Sequence, residues 1–220
     1  MIKRIVYFFF ALSIISCSTS DEVLEEQNNL QQEDLQPEKI LPPYVYTNAT
    51  FSTGGYFKCI YDNGRLSKIY GKYVKSQTIQ FPDTFNSDTF ISLTYNNDQV
   101  KLEYSDNSDE FIIYETENNR PVKSELYVYD ELVTSTKYTY ESDKIMIYKD
   151  TYNKNREEFI TYFFDSNKNL TKSEKLEKSG GVETKLTVTN YSNFDHAKNP
   201  FKKLSLINDN FFEKSLSANN

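Results

Sequence analysis

Phe57-Lys58-Cys59-Ile60-Tyr61-Asp62-Asn63-Gly64-Arg65-Leu66-Ser67-Lys68-Ile69 is the stretch whose reading decides the fold. Tyr61 ends a run of alternating character, which is the period of a half-buried strand. Asp62 can hydrogen-bond the turn backbone, and Gly64 can take the positive φ that a tight turn asks for. Leu66 and Ile69 begin the return strand. The same phrase recurs outward from here. Ile91-Ser92-Leu93-Thr94-Tyr95 turns at Asn96-Asn97-Asp98 into Val100-Lys101-Leu102. Phe111-Ile112-Ile113-Tyr114 turns at Glu117-Asn118-Asn119, Leu126-Tyr127-Val128-Tyr129 at Asp130-Glu131, and Lys137-Tyr138-Thr139-Tyr140 at Ser142-Asp143. Strands at 145–148 and 159–164 follow, and Asp165-Ser166-Asn167-Lys168-Asn169-Leu170 is a second full copy of the opening phrase. Ser179-Gly180-Gly181 closes a hairpin between 172–176 and 184–189.

Before the first copy, Tyr44-Val45-Tyr46 and Phe51 open the alternation. Residues 75–90 are less regular: Pro82-Asp83 and Asn86-Ser87-Asp88 signal turns, leaving a loop with one short strand at 78–81. The turns are too unevenly spaced for a fixed-length repeat. Consecutive strands with short connections predict an all-β fold, an antiparallel meander in one long sheet. A sheet of that length twists, so it is expected to curl into a half-barrel or a barrel.

Composition agrees. The 220 residues include 18 tyrosines and 16 phenylalanines, which suit a pleated, half-buried surface, and alanine is scarce. The net charge is −7, with no basic stripe, which argues against a nucleic-acid partner.

The first forty-three residues read as an address. Met1-Ile2-Lys3-Arg4 is a short positive segment, and the apolar run from Ile5 to Ile15 is too short to span a bilayer, which takes about 20 residues, but suits an export signal. It ends at Ile14-Ile15-Ser16-Cys17, which resembles a bacterial lipobox. That resemblance implies a signal peptide over 1–16 and lipid attachment at Cys17; loss of Lys3 and Arg4 then takes the charge to −9. Residues 17–43 follow as a lipidated cysteine and an acidic tether, polar and negative enough to remain unfolded (Asp21-Glu22, Glu25-Glu26, Glu33-Asp34), with Pro42-Pro43 stiffening its exit. Acidic residues shortly after such a cysteine resemble the signal that carries Bacteroidota lipoproteins to the cell surface. The expected location is therefore the outer membrane, with the outer side favoured. Cys59, left without a partner, is expected to be a buried, inert thiol.

The Tyr61-Asp62-Asn63-Gly64-Arg65-Leu66 stretch resembles the YD-type repeat of Rhs and related bacterial surface proteins. Together with the lipobox, the acidic tether and the closing Asn190-Tyr191-Ser192-Asn193-Phe194-Asp195-His196-Ala197-Lys198-Asn199-Pro200-Phe201, the chain is similar to a group of uncharacterised, tyrosine-rich Bacteroidota lipoproteins. Only the copies at Asp62 and Asp165 retain the repeat well, which argues against a large Rhs-like shell. That group has no established catalytic residues to carry over. The meander domain is placed at 44–200, and 201–220 is read as a C-terminal extension, incomplete where similar proteins continue.

Candidate chemistry is thin. His196 is the single histidine, so a Ser/His/Asp triad must use it, yet Asp195 beside it would point to the opposite face of a strand. Asp165-Ser166-Asn167-Lys168-Asn169 resembles the start of a calcium loop, but Leu170 and Leu176 stand where the glycine and the bidentate glutamate belong, so a hairpin turn is expected. Asp109-Glu110 and Glu157-Glu158 are adjacent, which is not the facing geometry of a glycosidic acid/base pair. Asn48-Ala49-Thr50, Asn169-Leu170-Thr171 and Asn190-Tyr191-Ser192 match a glycosylation pattern that a bacterial lipobox makes irrelevant. No catalytic, metal or cofactor-binding residue is predicted. Tyrosines offer both stacking faces and hydroxyls, so they either build the sheet or present a recognition surface. The reading is a lipid-anchored envelope protein, not an enzyme, that binds a glycan, peptide or protein at the membrane surface. The alternatives are an envelope hydrolase and a structural spacer. An apolar cavity inside the curled sheet would favour a carrier, facing carboxylates a glycosidase, and a featureless surface a spacer.

Overall fold

Hairpin turns set the architecture, and most are built as their residues demand. A computed structural model of the protein describes residues 35–45, 55–74, 84–195 and 197–219. In it Asn63 and Gly64 both take positive φ (47° and 76°), as do Asn118 and Asn119, and Gly180 and Gly181. Two successive left-handed residues match the twist of the strands they join, and asparagine and glycine tolerate that conformation best. Twelve strands result among the described residues: β1 (Lys39–Ile40), β2 (Phe57–Asp62), β3 (Arg65–Val74), β4 (Thr84–Asn96), β5 (Gln99–Tyr104), β6 (Asn107–Glu117), β7 (Arg120–Val128), β8 (Glu131–Tyr140), β9 (Lys144–Thr151), β10 (Arg156–Phe164), β11 (Leu170–Ser179) and β12 (Val182–Asn190). Each pairs antiparallel with the next, in the order β1 to β12, so the sheet is the expected meander. Among the described residues no ladder joins β12 to β1; the sheet is open, not a closed barrel.

Three local readings are corrected. Pro42–Val45 forms one helical turn, α1, where alternation suggested a strand; Pro42 pre-sets the φ that starts a helix, and Val45 is buried. Asn86-Ser87-Asp88 does not end a strand. β4 runs through it, and pairing jumps from Tyr70–Phe90 to Lys72–Asn86, so the extra residues are accommodated as a bulge in which the Asn86 side chain accepts the Asp88 amide at 2.9 Å. Tyr129 belongs to a turn, not to the strand before it: Tyr129 and Asp130 take φ of 53° and 61°, and the tyrosine is 74% exposed. The short strand expected at 78–81 lies outside the described residues. The sheet also begins before Tyr44, since Ile40 pairs with Phe57 and is buried.

The sheet rolls around its own C-terminus. Residues 201–219, read from the sequence as an extension, supply Phe201, Leu204, Ile207, Phe211 and Phe212 to the interior. Helix α2 (Asp209–Leu216) starts at Asn208, whose side chain accepts the Asn210 and Phe211 amides and so satisfies two of the helix's orphan donors. Phe211 packs edge-on against Phe57 of β2 at 5.4 Å, while its neighbour Phe212 meets Tyr138 of β8 at 5.3 Å and Tyr162 of β10 at 6.2 Å. In a flat sheet β2 and β10 would stand about 38 Å apart, eight strand spacings. A helix about 10–12 Å across touches both only if the sheet wraps it. Bulges or register shifts interrupt seven of the eleven ladders, and each adds local twist. The concave face thus holds two apolar clusters. One gathers Leu66, Ile69, Leu93, Val100 and Leu102 around Phe211, and the other gathers Tyr138, Ile145, Ile147, Ile160 and Leu170 around Phe212.

Candidate binding groove

One opening on the concave side lies at one end of the strands. The β6–β7 turn, the end of β8 and the β10–β11 turn meet α2 there around a groove of ≈ 670 Å³. Asn118, Asn119 and Arg120 form one rim and Lys168 another, while Tyr140, Phe164 and Phe212 supply aromatic wall. Antiparallel pairing of β7 with β8 brings Arg120 alongside Tyr140, and the guanidinium sits 5.6 Å from the ring centre. The Tyr140 hydroxyl donates to the Pro121 carbonyl at 2.8 Å. Burial pushes its pKa up, against the Arg120 charge, so it stays a neutral donor.

Lys168 owes its place to the second copy of the opening phrase. One oxygen of Asp165 accepts the Asn167 and Asn169 amides at 2.9 and 2.8 Å, which folds the turn and puts Lys168 at φ 64°. The lysine ammonium then reaches the Ser142 carbonyl at 2.6 Å. Asp165 builds the turn, as expected. Asn169 serves a further purpose: its carbonyl accepts the Asn219 backbone and side-chain amides, both at 3.1 Å, and ties down the C-terminus. Lys202 also lines the groove, donating to the Leu216 carbonyl at 3.2 Å. Among the described residues Glu141 is the sole carboxylate of the lining, and it is paired with Lys144. Among the described residues three cations stand against one anion, which makes this groove locally positive on a chain of net charge −7.

Other candidate positions resolve into structure. Glu157 and Glu158 point to opposite faces, the first accepting from Tyr148 at 2.8 Å and the second paired with Arg156 and Lys175, each at 2.8 Å. Glu110 accepts from the Asn107 amide at 2.9 Å. Cys59 is buried and unbridged, and burial pushes its thiol up to about 11, which keeps it protonated and unreactive. Among the described residues no cluster of His, Cys, Asp and Glu could hold a metal. The tyrosines divide: Tyr114, Tyr138 and Tyr162 are buried in the concave face, while Tyr70, Tyr127 and Tyr148 lie beside Phe90, Phe111 and Phe159 on the convex one. Cys17, His196 and Asn48-Ala49-Thr50 lie outside the described residues.

Two further cavities are smaller, about 160 and 280 Å³, and neither lies inside a sealed apolar interior. The interior that a carrier of apolar ligands would keep open is filled by Phe201, Phe211 and Phe212. Sequence reading missed both halves of this arrangement. Arg120 and Lys168 carry no local motif and meet only through the meander. The C-terminal segment did carry a signal: Phe211, Phe212 and Ser215 follow the Asn208 cap at helical spacing, with Ile207 just ahead of it.

No family model matches the sequence, and no curated protein matches it. Among solved structures, a porin-like protein from Bacteroides vulgatus superposes with a TM-score of 0.54 at 16% identity, over 83% of this chain and 74% of that one. At that identity the likeness is one of fold.

Proposed function

We propose that this chain is a lipid-anchored protein of the bacterial outer membrane that binds a ligand and does not transform it, displayed on the outer side. The observation that carries the binding role is the open groove: it is of ligand size and mixes aromatic wall with polar rim, on a concave face into which the C-terminal residues pack. Among the described residues no pair of carboxylates faces across it. The porin-like neighbour supports an envelope setting. The convex face argues for a lipid anchor over strand insertion, because it carries Lys68, Lys101, Glu115, Lys123, Lys137 and Lys172 in ladder positions where a membrane-spanning sheet needs an apolar band about 25 Å tall. Lysines cover ring faces there, 4.2 Å above Phe90 and 4.7 Å above Phe111.

The test is membrane fractionation with fatty-acid labelling. Cys17→Ala should abolish label incorporation and release the protein from the membrane; undiminished labelling would overturn the anchor. Protease added to intact cells should remove the domain, and full protection would place it on the inner side.

A further inference from the structure

We propose that the groove takes an acidic sugar, a short oligosaccharide bearing carboxylates, with Arg120 and Lys168 meeting the anion and the Tyr140–Phe164 wall packing against ring faces. This rests on the reading of the chain as a binding protein and assigns the ligand class of that same groove. Four observations converge. The groove is locally positive on an acidic molecule. Arg120 and Lys168 have no carboxylate partner among the described residues, so their charges are left to the groove. Both cations are nonetheless positioned, Arg120 by the Tyr140 ring and Lys168 by the Ser142 carbonyl. Lys168 also occupies a left-handed turn position at φ 64°, where asparagine or glycine would be less strained. A lysine kept there at a conformational cost needs a reason that the turn does not supply.

Size and chemistry narrow the anion. At ≈ 670 Å³ the groove far exceeds a single phosphate, and it fits two or three sugar rings. Asn118 and Asn119 offer amides for hydroxyls, and the aromatic wall offers faces to the apolar side of a ring. An acidic peptide adding as a strand would need an unpaired sheet edge, but the groove lies across the ends of strands already paired on both sides.

The experiment titrates the mature chain carrying Cys17→Ala with a galacturonic acid trimer, a neutral glucose trimer and inorganic phosphate, followed by amide chemical shifts and calorimetry. The acidic trimer is expected to bind, to shift resonances of 118–121 and 168, and to weaken with added salt. Arg120→Gln and Lys168→Asn should each reduce affinity about tenfold, the loss of one charge-assisted contact. Asparagine is at home in the left-handed turn, so Lys168→Asn removes the charge and keeps the fold, which an unchanged melting curve verifies. Equal binding of the neutral trimer, or variants without effect, overturns the acidic assignment while the binding reading stands. Phosphate competing as strongly as the trimer overturns the sugar. No shift at the groove with any saccharide overturns both.

Discussion

Alkali should unfold this protein in one cooperative step, and the tyrosines say where. Tyr114, Tyr138 and Tyr162 lie in the concave core, and burial, the largest cause in each case, holds their pKa values far above the usual 10. Below pH 10 these groups are protonated in both states, so they confer no pH dependence. Above it the unfolded chain releases protons that the folded state retains, so stability falls as pH rises. Each fully buried phenol removes about 1.4 kcal/mol per pH unit, and three together about 4. A domain worth about 5–15 kcal/mol is then exhausted within a few pH units of 10. Half-buried Tyr61, Tyr140 and Tyr191, also shifted upward by burial, steepen the fall, which sets the midpoint at roughly pH 11–12. The assay follows tyrosinate absorbance and far-UV circular dichroism in the same titration; the last phenols should ionise only as the sheet is lost. Tyr162→Phe should lower the slope by about a sixth, as one of six phenols so held, and move the midpoint upward. Ionisation of all 18 tyrosines near pH 10 with the dichroism intact would refute the burial argument.

Two further perturbations test the plug and the roll of the sheet. Asn199 is 4% exposed; its amide donates to the Lys214 and Ser217 carbonyls at 2.7 and 2.9 Å, and its carbonyl accepts the Phe201 amide at 2.8 Å. Asn199→Ala should cost about 2–4 kcal/mol, seen as a lower denaturant midpoint, because it orphans buried backbone groups at the end of α2. Gly71 sits at φ 113° in β3, where a Cβ would run into the Phe85 ring and crowd Phe57. Gly71→Ala should destabilise by about 2–4 kcal/mol in a thermal melt, and a neutral result would mean that Phe85 yields freely.

The Asn-Pro-Phe ending illustrates what a sequence can signal without explaining. Its physical content is a strut: Asn199 caps a helix and Phe201 enters the core. Neither role is visible until the partners, fifteen or more residues away, are placed.

Alternation with a period of two and the chemistry of Asn63-Gly64, Asn118-Asn119 and Gly180-Gly181 are local, so the sequence by itself determined strands, turns and hence the meander. Where local signals misled, a bulge at Asn86 and a strained turn at Tyr129 won because neighbouring strands fixed the geometry, and a short helix at Pro42–Val45 won because proline presets the helical φ and Val45 is buried. Only the tertiary structure decided that the sheet rolls, what fills it, and where it stays open. Those outcomes depend on Phe211 and Phe212 reaching β2, β8 and β10, and on Arg120 and Lys168 arriving at one groove from separate hairpins. Contacts between distant residues leave no periodic trace along the chain, because packing selects them after the strands have formed. The phrase around Asp62 and Asp165 is the clearest case. Its residues specify a turn, and only the fold turns the second copy into a rim that holds Lys168.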